Sequence, residues 1–295
     1  MIWFIKKHAF CAFQKYPVMV GIRLVKNNKK SPSLISEEVA YGSHRLQRYD
    51  VHTPKEVNNP PTVFYIHGGS WMSIDKSYYN YLLKTMGERG YRIVNINYRL
   101  LPHYTLTDVI NDCESAVVHA LDNIKGIDRD RLFIAGDSAG AHLAALIASK
   151  AHSGAFRQKV HFMGAGLFYG IFDMTDLLDG EAWLLRFLSK YFRHEVGPNY
   201  REYIMSVSPS TYLTDDFPPC FVASGARDPL HPATLTFLKQ LRDRGIMHVP
   251  YILDKDRKDG IHGFLSYTFL ESSKEALELW IAFFNDLCDR AIGGP

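Results

Sequence analysis

The sequence predicts an α/β fold, a mostly parallel central sheet with helices on both faces and a helical cap. Two observations carry this prediction. Short β-rich runs alternate with stretches whose apolar residues recur at helical spacing. The runs are mostly apolar, as befits strands covered on both faces of a sheet. A third observation adds the cap: an aromatic-rich helical pattern (EAWLLRFLSKYF) stands where a short crossover would suffice.

Taken in order, residues 1–44 read as an N-terminal arm contributing to the cap, with a polar, basic linker in it (KNNKKSPS). The core is expected over 45–172 and 211–295, with the cap inserted at 173–210. Buried strands are predicted at 62–66, 92–96, 132–135, 161–167, 220–223 and 249–253, each followed by turn residues. Helices are predicted at 106–123, 139–151, 232–244 and 272–289. Gly126 and Gly245 stand just past two of them, where a left-handed residue ends a helix. In such sheets ligands bind at the carboxyl ends of the strands, so the cap and arm are expected to cover that edge.

Composition narrows the functional classes. With 295 residues, 46% of them hydrophobic, the chain can bury a large core without staples. Its 34 Lys+Arg against 31 Asp+Glu give a scattered net charge of +3, which argues for a small-molecule substrate and no nucleic acid. Cys11, Cys113, Cys220 and Cys288 lie far apart without a CxxC pair, and no HExxH occurs, so neither a disulfide framework nor a metal is expected. No cofactor is called for. No run of about 18 apolar residues suggests a membrane span, and the first residues lack the pattern of an export signal, which predicts a cytoplasmic protein. The last strand is a candidate edge for pairing in a homodimer.

The chemistry is concentrated in Gly136-Asp137-Ser138-Ala139-Gly140, a G-x-S-x-G sequence between a predicted strand and a predicted helix. So tight a turn needs very small neighbours, and it exposes Ser138 at the positive end of the helix with the Ala139 N–H aimed at a developing oxyanion. Upstream, His67-Gly68-Gly69-Ser70-Trp71 follows the first buried strand, and its paired glycines let backbone N–H groups approach a bound oxygen. Gly68, Gly69 and Ala139 are therefore candidate oxyanion donors.

A serine hydroxyl needs a base oriented by an acid, in the chain order serine, acid, histidine for this architecture. His262, in a glycine-flanked loop beyond the last strand, is the candidate base; His142 is expected to point away from Ser138. Asp228, after the strand at 220–223, is the candidate acid, with Asp173, Asp254 and Asp256 as rivals. Trp71, Trp183 and Phe187, with Tyr191 and Phe192, could line an acyl or aryl pocket, although a cap helix packed on the body accounts for any one of them alone.

Together, His67-Gly68-Gly69, Gly136-Asp137-Ser138-Ala139-Gly140, Asp228-Pro229-Leu230 and His262-Gly263-Phe264 resemble the α/β-hydrolase esterases of the hormone-sensitive lipase family. Asn97-Tyr98-Arg99-Leu100 and Asp112 resemble further segments of that family. The third glycine of its His-Gly-Gly-Gly is Ser70 here, and its Ala-Pro is Leu101-Pro102. The resemblance implies a carboxylesterase with a Ser138, Asp228 and His262 triad acting on small ester substrates. The His-Gly-Gly-Ser-Trp variant is also similar to the kynurenine formamidase branch, which is the alternative. A non-catalytic binding protein on the same scaffold is the second alternative.

Overall fold

A computed structural model describes residues 31–179 and 183–293. Eight strands form one sheet: β1 (Leu34–Ala40), β2 (Arg48–Pro54), β3 (Thr62–Ile66), β4 (Arg92–Ile96), β5 (Leu132–Asp137), β6 (Gly164–Phe168), β7 (Cys220–Gly225) and β8 (His248–Leu253). Their order is β1-β2-β4-β3-β5-β6-β7-β8. From β4 to β8 all pairings are parallel, while β1 and β2 join the β4 side antiparallel.

Why these runs form central strands follows from β3. Phe64 and Ile66 face one cluster of buried residues, and Val63 and Tyr65 face another. A strand that feeds two cores has neither face open to water, and all five residues of β3 are buried. The first core lies under α2 (Leu106–Asn123), α3 (Ala139–His152) and α7 (His231–Asp243). The second lies under α1 (Asn80–Glu88) and α8 (Glu271–Gly293). Helix α3 is the innermost, buried from Ala139 through Ser149, which explains a sequence that is apolar nearly all round. Helix α2 begins as its sequence dictates: Thr105 caps the Asp108 N–H, and Asp108 returns a bond to the Thr105 N–H, closing both ends of a capping box.

Three readings need adjustment. The strand expected at 161–167 begins at Gly164, because pairing starts with Gly164 opposite Phe133, and His161 precedes the sheet. Strands β1 and β2 and helix α1 were not foreseen: β1 is largely exposed and polar (LISEEVA), and β2 (RYDVHTP) shows no apolar run. Of the arm expected over 1–44, residues 1–30, with Cys11, lie outside the described residues, and the remainder supplies β1 at the sheet edge.

Between β6 and β7 the chain forms α4 (Asp176–Asp179), α5 (Trp183–Val196), α6 (Tyr200–Ser206) and a 3-10 turn at Pro209–Tyr212. These helices pack on the core beside the carboxyl end of β5, where Phe192 meets Trp71 edge-on and the Val207 carbonyl meets His142. Among the described residues Cys113, Cys220 and Cys288 are free and buried. Among them, too, no group of side chains could hold a metal ion, and no helix is long and apolar enough to cross a membrane.

Candidate active site

Strand β5 ends at Asp137 and α3 starts at Ala139, leaving Ser138 alone at the turn with φ 52° and ψ −119°. A side chain in that region is strained by about 1–3 kcal/mol, a cost met only where the surroundings overdetermine it. The surroundings here are backbone. The Ser138 N–H donates to the Phe168 carbonyl at 2.8 Å. A Cβ on Gly136 would stand 2.4 Å from the Gly140 carbonyl oxygen, and one on Gly140 would stand 2.0 Å from the Ile66 carbonyl oxygen, so the close approach demands both glycines.

Strands β7 and β8 deliver the partners. Asp228, in the turn after β7, has no exposed side-chain surface; its Oδ1 accepts the Leu230 N–H at 2.7 Å and its Oδ2 lies 2.8 Å from His262 Nδ1. His262 Nε2 lies 2.9 Å from Ser138 Oγ. The three predicted side chains, 90 and 34 residues apart in sequence, form one hydrogen-bonded line. With Nδ1–H donating to Asp228, Nε2 is left to accept the serine proton. Burial pulls the imidazole's pKa down, but the Asp228 carboxylate, aided by Asp137, outweighs it and raises the pKa above the usual histidine range.

The loop carrying His262 is held from below. Arg257 pairs with both oxygens of Asp259 at 3.0 and 3.1 Å, and Asp259 accepts the Ser272 N–H at 2.7 Å, fastening the loop to the start of α8. Gly225 makes the crossing: a Cβ there would lie 2.2 Å from the Gly260 carbonyl oxygen. The ring of Tyr169 packs edge-on against the imidazole, with centroids 5.2 Å apart. Tyr169 itself has φ 39°, a second strained residue beside the serine.

The rival acid Asp173 is occupied elsewhere, accepting from the Thr175 N–H at 2.9 Å and its hydroxyl at 2.6 Å. His142 turns away from Ser138, as expected, and its Nε2 contacts the Val207 carbonyl at 2.8 Å.

One oxyanion assignment is corrected. The Gly68 N–H donates to Asp137 Oδ1 at 2.9 Å, so it is committed and cannot serve a substrate oxygen. Gly68 is needed for space instead, since a Cβ there would meet the Asp137 carbonyl oxygen at 2.7 Å. Gly69, with φ 107°, keeps its N–H without a partner among the described residues. The Ala139 N–H opens α3 and so has no acceptor one turn back within the helix.

Sequence reasoning passed over the support of this loop. Asp137, 3% exposed, accepts the hydroxyls of Tyr65 and Tyr79 at 3.0 and 2.8 Å; burial raises its pKa while these donors and Gly68 oppose the rise. His67 stacks on Tyr98 and bonds Asn97 Oδ1 at 3.0 Å. The signal was a carboxylate in the variable position of the serine motif, together with a tyrosine in the buried strand that leads into the glycine loop.

Of the candidate pocket residues, Trp71 is 1% exposed and meets both His142 and Phe192 edge-on. Phe187 is half-buried against the core, and the side chain of Trp183 lies outside those described. A cavity of about 240 Å³ lies beyond Phe192, lined also by Leu101, Leu106, Tyr191 and Tyr203.

Residues 49–238 match the BD-FAE family. Esterase LipQ of Mycobacterium tuberculosis is 31% identical over 201 residues, covering 65% of this chain and 48% of the relative. Kynurenine formamidase of Salmo salar is 29% identical over 141 residues, 48% of this chain and 47% of the relative. The chain thus spans about half the length of the curated relatives it matches. Among solved structures, esterase B of Lactobacillus rhamnosis superposes with a TM-score of 0.85 at 21% identity, covering 98% of this chain and 96% of that one. The likeness shows the α/β-hydrolase fold expected from the motifs.

Proposed function

The chain belongs to the BD-FAE family, in keeping with the hormone-sensitive lipase resemblance of its motifs, and from that premise we propose that it is a carboxylesterase whose nucleophile is Ser138. The observation that carries the reading is the unbroken line from Ser138 Oγ through His262 to Asp228, with links of 2.9 and 2.8 Å.

The reaction follows from the geometry. His262 Nε2 takes the Ser138 proton as Oγ attacks the ester carbonyl, and Asp228 holds the tautomer and stabilises the imidazolium. Charge developing on the carbonyl oxygen is met by the N–H groups of Gly69 and Ala139; each such donor is worth about 2.7–4 kcal/mol in the transition state. The imidazolium then protonates the departing alkoxide. Water, deprotonated by the same histidine, releases the acid from Ser138.

Small esters fit best. Trp71, two residues beyond Gly69, is fixed between His142 and Phe192, which supports a short acyl or aryl group beside the serine. The helices over residues 173–210 then act as a cap. The similarity to esterase LipQ supports ester hydrolysis. The test is turnover of acetyl to decanoyl aryl esters and an N-formyl aryl amide by wild type and Ser138→Ala. Rapid hydrolysis of the short esters, lost in the variant, is expected; preference for the formyl amide would move the assignment to a formamidase, and silence on all would refute catalysis.

A further inference from the structure

We propose that Asp137 is a positioning residue that clamps the glycine loop after β3 to the serine turn after β5, setting the Gly69 N–H where the oxyanion forms. The proposal rests on the reading of Ser138 as the nucleophile. Strands β3 and β5 are parallel neighbours, with Ile66 opposite Gly136. Their carboxyl ends therefore emerge side by side, with His67 opening the glycine loop next to Asp137, the last residue of β5.

The carboxylate bridges the gap. Oδ1 accepts the Gly68 N–H at 2.9 Å and the Tyr65 hydroxyl at 3.0 Å, and Oδ2 accepts the Tyr79 hydroxyl at 2.8 Å. Every one of these contacts is a donor, which suits the ionised form. Gly68 allows the approach, since a Cβ there would lie 2.8 Å from Oδ2. Burying an acid costs far more than burying an apolar residue of similar size, so packing alone does not account for it.

Anchoring Gly68 orients the next amide. The next peptide, planar and carrying both the Gly68 carbonyl and the Gly69 N–H, is then held at its own oxygen, which accepts the Tyr98 hydroxyl at 3.3 Å and lies 2.8 Å from His67 Nδ1. At φ 107° Gly69 completes a bend that no other residue adopts readily, and a Cβ there would stand 2.3 Å from the Ser73 carbonyl oxygen.

The same charge acts on the base. His262 faces Ser138, Asp228, the Tyr169 ring and, at longer range, Asp137. Asp137 in turn faces Tyr65, Tyr79, Tyr98, Tyr169 and His262. It therefore favours the imidazolium that forms as Ser138 attacks.

The test compares Asp137→Ala, Asp137→Asn and Tyr79→Phe by steady-state kinetics, pH profile and amide hydrogen exchange over residues 66–70. Asp137→Ala is expected to cut kcat about 100-fold, the scale of one lost oxyanion donor, with little change in KM. Asp137→Asn keeps an oxygen for the Gly68 N–H and should recover about tenfold of that loss, with the acid limb of kcat/KM moved to lower pH because the charge is gone. Exchange over 66–70 should rise in Asp137→Ala and stay near wild type in Asp137→Asn and Tyr79→Phe. Wild-type kcat and exchange in Asp137→Ala would overturn the proposal, as would Asp137→Asn behaving like Asp137→Ala in both readouts. If Asp137→Ala does not fold, an unshifted pH profile in Asp137→Asn overturns it. The exchange result decides the clamp even if the wild type hydrolyses no ester, an outcome that would count against the nucleophile alone.

Discussion

The backbone of Gly140 lies so close to β3 that a Cβ on it would stand 2.0 Å from the carbonyl oxygen of Ile66. That contact joins the first turn of α3 to the strand that leads into the glycine loop, so the serine and the oxyanion donors share one rigid frame. Gly140→Ala must push the two apart. The expected cost is about 1–3 kcal/mol of stability, as for other overpacked sites, together with at least a tenfold loss of ester turnover. Urea unfolding and kcat on a short ester measure both; an unchanged variant would show that the frame yields freely.

His142 ties the inserted helices to the core through the Val207 carbonyl, and burial lowers its pKa from 6.5 to about 4. Between those values the unfolded chain binds a proton that the folded chain refuses, so stability falls as pH drops from 6.5 toward 4. The total is about 3 kcal/mol. His52, His67, His152 and His231 are shifted the same way and steepen the slope. Urea midpoints from pH 7.5 to 4.5 should show His142→Gln losing less stability than wild type, and parallel curves would contradict the assignment.

Most of the frame was legible because buried parallel strands advertise themselves. TVFYI and RIVNI have the observed bounds of β3 and β4, and α2 covers the residues its capping and periodicity indicate. The serine, aspartate and histidine were legible for a different reason: each follows a strand and is flanked by glycine or proline. What stayed hidden was polar. Strand β1 is drawn into the sheet by pairing with β2 rather than by apolar residues, and a backbone ladder leaves no side-chain signature. The commitment of the Gly68 N–H to Asp137 is equally invisible, since it depends on which of two adjacent amides turns toward a carboxylate 69 residues away.

Because Asp228 and Asp137 together raise the His262 pKa against the effect of burial, kcat/KM for a neutral ester should rise with pH through a value above 6.5, as the imidazole loses its proton. Asp228→Asn should move that limb to lower pH and reduce kcat by about 10²–10⁴-fold through the wrong tautomer. A limb unmoved by the substitution would mean that another group titrates.

Phe192 stands between Trp71 and the cavity of about 240 Å³ lined by Leu101, Leu106, Tyr191 and Tyr203. Phe192→Val should open a path from the acyl side of the serine into that space. The ratio of kcat/KM for hexanoyl over acetyl esters is expected to rise about tenfold or more, within the range that one or two methylenes in an apolar pocket supply. An unchanged ratio would place the acyl group elsewhere.

The most direct test of Ser138 as nucleophile is hydrolysis of a short-chain aryl ester by wild type and Ser138→Ala, with thermal unfolding recorded on both. Wild type should turn over the ester, and the variant should lose nearly all of that activity, by about 10⁶-fold where the triad acts as a unit, while melting within a few degrees of wild type. A folded Ser138→Ala protein that hydrolyses the ester at the wild-type rate would contradict the assignment outright.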